Sequence, residues 1–163
     1  MTITNVTAEQ ASDGLINTLG ARWAGGTITY SIPGAGASWA GGYGQGEPIN
    51  VDYGILSGVQ ANAFRLAIEL WDSYIAMAMN EVSDSTPGQI RVAFTDASEL
   101  EGAPSIAAYA YGPSLGGESV QAGDVWIDES QLGSTFAVGT YGFELLLHEL
   151  GHSLGLKHPF EAP

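Results

Sequence analysis

The sequence predicts a single α+β domain, in the order strand, long helix, three strands and a final helix. Two observations lead to that prediction. Short segments alternate apolar and polar residues, and two longer segments repeat their apolar residues at helical spacing. A chain of 163 residues can bury a substantial core, and its hydrophobic fraction of 45% is ordinary for a globular protein. Because there is neither an internal repeat nor a linker-like stretch, we expect residues 1–163 to form one domain.

The first strand is predicted at residues 27–32, where β-branched and aromatic side chains alternate before Pro33 and Gly34 end the pattern. Ahead of it, a short apolar pattern at residues 15–20 predicts one or two helical turns closed by Gly20. Residues 33–48 contain six glycines and are expected to form a long loop.

The long helix is predicted to begin at Ser57, because Ser57 and Gln60 have the spacing of a capping box. Apolar residues then recur at helical spacing as far as about Asn80. They are Val59, Ala63, Leu66, Ala67, Leu70, Trp71 and Tyr74. We interpret this stripe as core packing and not as a ligand site.

Three further strands are predicted at residues 89–95, 106–111 and 124–127, the last two separated by a glycine-rich loop at residues 112–123. The final helix is expected to begin at Thr140 or Tyr141. Its apolar stripe consists of Leu146, Leu147, Leu150 and Leu154.

Charge and composition exclude several classes of function. The chain has 18 acidic and 4 basic residues, a formal charge of −14. We therefore expect neither nucleic-acid binding nor attraction to anionic membranes. The sequence has no cysteine, which excludes disulfides and thiolate metal sites. No signal-peptide pattern is visible at the N-terminus, and no apolar run reaches membrane-spanning length.

All three histidines of the chain lie within residues 148–158. On a helix, His148 and His152 lie one turn apart on the same face, and Glu149 follows His148 directly. Gly155 can adopt φ > 0, end the helix and direct His158 back as a third ligand. The pattern predicts a zinc ion held by three imidazoles, with a fourth position left for water.

This arrangement supports hydrolysis in which the metal-bound water is the nucleophile and Glu149 is the general base. The alternative is a helix whose histidines are exposed to solvent and hold no metal. Glu144 lies four residues before His148, so it is either a hydrogen-bond partner of that ligand or an acidic residue of the first helical turn.

Residues 148–158 resemble the extended zinc motif HExxHxxGxxH of the metzincin metalloproteases at every defined position. Residues 43–48, 108–113, 123–126 and 139–142 are similar to the serralysin branch, the secreted bacterial zinc proteases. The resemblance implies a twisted mixed sheet, a long backing helix and an active-site helix that carries the zinc motif.

The resemblance also implies roles for individual residues. His148, His152 and His158 would ligate zinc, and Glu149 would act as the general base. An edge strand would pair with an extended polypeptide substrate through Ala108, Tyr109, Ala110 and Tyr111. For the two tyrosines, a packing role is the alternative.

The family places a methionine-containing turn after the zinc helix, whereas no methionine follows His158 in this sequence. We therefore expect the chain to be the N-terminal part of a catalytic domain, truncated after the third zinc ligand and without the lower subdomain. The resemblance further implies calcium, secretion, and as partners a proteinaceous inhibitor or the missing C-terminal part of the protease.

The predicted function is that of a zinc endopeptidase acting on extended polypeptides. The alternative function is a non-catalytic zinc-binding fragment that serves as an interaction or complementation module. A third and weaker interpretation is a metal-dependent hydrolase acting on a non-peptide substrate.

Overall fold

The computed structural model describes residues 15–16, 21–41, 43, 46–48, 53–99, 105–114 and 120–159. These residues form a mixed five-stranded sheet and two α-helices, which confirms the α+β prediction. The strands are β1 (Thr27–Ser31), β2 (Ala78–Glu81), β3 (Ile90–Thr95), β4 (Ala108–Ala110) and β5 (Val125–Asp128). The helices are α1 (Gly58–Asp72) and α2 (Tyr141–Ser153). Within this described part, no helix has the length and apolarity needed to cross a bilayer.

The strand order across the sheet is β2-β1-β3-β5-β4. The first four strands in this order run parallel to one another, and β4 alone runs antiparallel, pairing with β5 at the edge of the sheet. The register of that edge pair places Tyr109 opposite Trp126. The antiparallel edge strand lies beside α2, the helix that carries His148 and His152.

The capping box predicted at the start of α1 is present. The Ser57 backbone N–H donates to Gln60 Oε1 at 2.8 Å, and the Gln60 N–H donates to Ser57 Oγ at 3.4 Å. Gln60 is buried and its side-chain amide also donates to the carbonyl oxygens of Leu132 and Ser134. The cap therefore both starts the helix and attaches it to the segment that precedes α2.

The predicted extension of this helix to Asn80 is wrong: α1 ends at Asp72, and residues 78–81 form β2 instead. The Asp72 carboxylate accepts the Met79 N–H at 2.6 Å, and β2 pairs in parallel with β1. Four strands therefore follow β1, one more than the sequence predicted. The prediction that the apolar stripe of this helix packs in the core is also wrong for most of its residues. Val59, Leu66, Leu70 and Tyr74 are exposed, whereas Ala63 and Ala67 are buried.

Other boundaries differ by a few residues. The strand expected at residues 106–111 is paired only over Ala108–Ala110, and the strand expected at 124–127 is Val125–Asp128. Of the turns predicted at 15–20, residues 17–20 lie outside the described part. Ile16 forms an isolated antiparallel bridge with Leu156.

The two faces of the sheet support different packing. On one face, alternate strand residues such as Ile28, Ile90 and Val92 pack against buried residues of both helices, including Phe64 and Leu150. The opposite face carries a smaller aromatic cluster centred on Trp126. Its other members are Tyr43, Ala93, Trp39, Ala40, Tyr53, Tyr109 and Tyr111.

We expect Phe64→Ala to lower the free energy of unfolding by about 3–5 kcal/mol, because Phe64 is fully buried between α1 and the sheet. Urea denaturation monitored by circular dichroism measures this loss. Leu66→Ala on the same helix is the matched control. Leu66 is 48% exposed, so its truncation should cost far less. Equal losses for the two variants would contradict the placement of the α1 buried face.

Candidate metal centre

Helix α2 presents one face to the core and another to a cleft. Leu146 and Leu150 are buried, whereas His148 is exposed and His152 is partly buried. The helix lies close to α1, since Trp71 Nε1 donates to the Leu147 carbonyl oxygen at 3.1 Å. This packing fixes the axis of α2 and therefore the direction in which its histidines point.

The C-terminus of α2 has the hydrogen bonds of a Schellman motif. The Gly155 N–H donates to the His152 carbonyl and the Leu156 N–H donates to the Gly151 carbonyl, each at 2.9 Å. Gly155 has φ +105°, a conformation that L-residues with a side chain rarely adopt. The turn reverses the chain and brings His158 beside the helix.

Three imidazole nitrogens converge at this turn. The Nε2 atoms of His148 and His152 lie 3.0 Å apart, and each lies 3.1 Å from Nε2 of His158. Nitrogens about 2.0–2.1 Å from a zinc ion in tetrahedral geometry are separated by roughly 3.3 Å. The observed spacing therefore fits one zinc ion after a shift of a few tenths of an ångström.

The protonation of the rings also suits a metal. His152 Nδ1 lies 2.9 Å from the Leu156 carbonyl oxygen, which can only accept, so Nδ1 carries the proton and Nε2 keeps its lone pair. Burial lowers the pKa of His148, and the neighbouring His152 and His158 lower it further, whereas Glu144 opposes the shift. Both effects favour neutral imidazoles with nitrogen lone pairs available to a cation.

Glu149 lies directly beside this triad. Its side chain is only 4% exposed, and its Oε2 has no hydrogen-bond partner in the described structure. Burial raises the pKa of Glu149 to about 7, and the charge of His158 opposes the shift. A buried carboxylate with an unpartnered oxygen is costly unless it has a partner in the working state of the protein.

A cleft of about 660 Å³ separates α2 from the edge strand. Residues 106–110 line one side, and the four residues of the histidine–glutamate cluster line the other. Tyr141, Leu145 and Glu144 also border it from α2. Glu144 is an exposed acidic residue of the first turn of this helix.

The predicted substrate residues divide into two groups. Ala108 and Ala110 pack towards the helices, whereas the rings of Tyr109 and Tyr111 join the aromatic cluster on the opposite face of the sheet. The Tyr109 and Tyr111 hydroxyls both donate to Oε1 of Glu47, at 2.6 and 2.5 Å. The tyrosine rings therefore pack in this cluster, while the substrate-binding role of residues 108–111 stays a prediction.

We expect Gly155→Ala to destabilise the protein by about 1–2 kcal/mol and to weaken zinc binding, because the substitution strains the turn that places His158. Denaturant unfolding and competition with a chelator of known zinc affinity measure the two effects. Gly133→Ala is the control, since Gly133 has no atom within 4 Å of an added Cβ. An unaltered zinc affinity in Gly155→Ala would show that the turn does not position His158.

Comparison with known proteins agrees with this geometry. The sequence model of the matrixin family matches residues 52–162, which is more than half of the chain and includes the histidine triad. The chain belongs to the matrixin family. The metzincin resemblance is thereby confirmed, while assignment to the serralysin branch stays a prediction.

Individual relatives match over much of the chain. Metalloendoproteinase 1-MMP of Arabidopsis thaliana is 27% identical over 142 residues, 84% of this chain and 35% of its own length. Hatching enzyme of Paracentrotus lividus is 28% identical, covering 69% of this chain and 20% of the relative. A serralysin of Photorhabdus sp. (strain Az29) is 37% identical, covering 61% and 20%. This matrixin chain thus spans about a third or less of these relatives.

Sequence reasoning missed several residues around the matrixin cleft. Ile106, Ala107, Tyr141 and Leu145 border it, and Glu47 lies behind β4. Leu145 and Tyr141 could have been predicted, because they lie three and seven residues before His148 and share its face of the helix. Glu47 gave no comparable signal, because its tyrosine partners lie more than 60 residues away in the chain.

Proposed function

We propose that this chain carries the zinc site and general base of a metalloendopeptidase that hydrolyses peptide bonds of extended polypeptides. The main observation behind this proposal is that three imidazole nitrogens converge beside Oε2 of Glu149, which has no hydrogen-bond partner among the described residues. They do so in a cleft bounded by an edge strand. Membership in the matrixin family supports the same class of activity.

The histidines hold the metal in this proposal, His148 and His152 from the helix and His158 from the turn that follows it. Zinc held by these residues would be a Lewis acid, able to polarise a carbonyl group and to lower the pKa of water towards about 7. The Glu149 carboxylate accepts a proton from the attacking water at Oε2 and then delivers it to the leaving amine. The helix keeps this oxygen beside the ligands throughout.

The edge strand supplies the substrate-binding side. The Asp128 N–H donates to the Ala107 carbonyl and the Tyr111 N–H donates to the Asp124 carbonyl, both at 2.9 Å. In antiparallel pairing, alternate residues face the partner strand, so Ala108 and Ala110 direct their N–H and C=O groups away from β5. An extended peptide in the cleft can pair with these groups as an added strand, which makes recognition tolerant of substrate sequence.

The test is zinc content together with hydrolysis of casein by the purified protein. We expect one zinc ion per chain, hydrolysis that stops on dialysis against a chelator, and recovery when zinc is returned. Stoichiometric zinc without hydrolysis would instead support the non-catalytic interaction module. Failure to bind zinc would contradict both functions.

Other consequences of the serralysin resemblance stay predictions. These are calcium binding, secretion, and association with a proteinaceous inhibitor or with a C-terminal part of the protease. Analysis of bound calcium and of the culture medium of the producing organism tests the first two directly.

A further inference from the structure

Glu47 is a buried acidic residue on the face of the sheet opposite the cleft. It is 6% exposed, and its Oε1 accepts hydrogen bonds from both Tyr109 and Tyr111. Tyr109 lies in β4 and Tyr111 directly follows the strand. The two are alternate residues, and their hydroxyl groups reach the same acceptor atom. One carboxylate oxygen from a distant loop thus holds one point in the edge strand and one directly after it.

Strand β4 is short and contacts β5 along one edge and α2 on one face. The strand has three paired residues and hydrogen-bonds to β5 along one side. On the cleft side it carries only the small side chains of Ala108 and Ala110. The tyrosine rings contact each other edge-to-face at 6.0 Å, and Tyr111 contacts Tyr43 at 5.9 Å. The hydrogen bonds of the two tyrosine hydroxyl groups are therefore the contacts of this segment that lie furthest from its backbone.

The groups that face Glu47 keep these hydrogen bonds formed. Burial and Glu47 itself raise the pKa of the Tyr109 hydroxyl, which stays protonated and able to donate. Nearby, the Tyr43 hydroxyl donates to Asp124. Burial raises the pKa of this carboxyl to about 7, Tyr43 and Arg91 oppose the shift, and Asp84 and Glu47 add to it. Hydrogen bonds to a charged acceptor are about twice as strong as neutral ones.

We propose that Glu47 is a positioning residue for substrate: through Tyr109 and Tyr111 it holds the outward N–H and C=O groups of Ala108 and Ala110 where an extended peptide pairs with them. This inference rests on the proposed function, since it assigns a binding role to the same cleft. Glu47 touches neither the substrate nor the reacting atoms. Its effect should therefore fall on peptide affinity and not on the chemical step.

The test compares Glu47→Leu with the unaltered protein on an internally quenched octapeptide of alanine and leucine. We expect KM to rise at least about ten-fold while kcat changes less than about three-fold, because hydrogen bonds to a charged acceptor that orient the strand are lost. Glu47→Gln retains one oxygen acceptor and should restore most of the affinity. Tyr111→Phe removes one of the two hydrogen bonds and should give an intermediate KM.

Tyr30→Phe is the matched control. Tyr30 lies in β1 and donates to Glu81 Oε2 at 3.2 Å, so this variant also removes a tyrosine–glutamate hydrogen bond, two strands away from β5. It should lower stability without changing KM. A folded Glu47→Leu protein with unchanged KM would overturn the proposal, as would an equal rise in Tyr30→Phe.

A binding measurement separates this inference from the proposed function. Fluorescence anisotropy of the same octapeptide, labelled with fluorescein, gives Kd for the zinc-loaded protein without requiring turnover. If the unaltered protein binds the peptide but does not hydrolyse it, the proposed function fails. A ten-fold weaker Kd in Glu47→Leu would then still support the positioning role, and an unchanged Kd would overturn it.

Discussion

Glu149→Gln is expected to lower kcat/KM for peptide hydrolysis by about 10²–10⁴-fold, the usual contribution of a positioned general base. Glutamine has the same shape as glutamate, but its amide does not accept a proton near neutral pH. Glu149 is buried, and its Oε2 has no hydrogen-bond partner among the described residues, so this oxygen is available to accept a proton. Initial rates on the quenched octapeptide measure the effect.

Zinc content separates a lost base from a lost metal. The three atoms that converge on the candidate site belong to the histidines alone, so Glu149→Gln should retain one zinc ion per chain. Glu69→Gln is the matched control, because it makes the same chemical change at an exposed position of α1. Retention of more than about a tenth of the rate in Glu149→Gln would exclude Glu149 as the base.

His152→Ala should weaken zinc binding at least about a thousand-fold and abolish hydrolysis. Structural zinc sites contribute about 10–16 kcal/mol, and this substitution removes one of three protein ligands. It also removes the hydrogen bond from Nδ1 to the Leu156 carbonyl, which connects the helix to the segment carrying His158. Competition with a chelator of known affinity measures the change.

The expected loss requires that the variant folds. Circular dichroism and thermal unfolding without zinc should be close to those of the unaltered protein, since His152 is only partly buried. Glu69→Gln again provides the reference for zinc affinity. Bound zinc at the original affinity in His152→Ala would show that the ligand assignment is wrong.

The sequence predicted the parts of the fold that depend on local patterns. Strand patterns identified β1, β3, β4 and β5, and Ser57 with Gln60 identified the start of α1. Strand β2 was not predicted, because no residue between Trp71 and Met79 is a typical helix terminator. The helix ends where the Asp72 side chain accepts a hydrogen bond from the Met79 N–H, seven residues further along the chain. In the sequence, Asp72 cannot be distinguished from any other aspartate within a helix.

In the candidate site, too, local features could be predicted from the sequence, whereas contacts between distant segments could not. Gly155 and the spacing of His148 and His152 are local, so the convergence of the imidazoles follows from helix geometry and one turn. The approach of β4 to α2 and the hydrogen bonds from Tyr109 to Glu47 join distant segments. Such contacts depend on sheet order, which a single sequence does not specify.

The position of α2 in the chain also bears on how the protein matures. Each of the five strands precedes α2 in sequence, so the whole sheet leaves the ribosome before the three histidines do. Synthesis adds about 5–20 residues per second, and a domain generally folds as a unit. Because the ligands lie within residues 148–158, metal capture needs only a short segment to close upon itself. The proposed zinc site is therefore completed only after every strand of the described sheet has been synthesised.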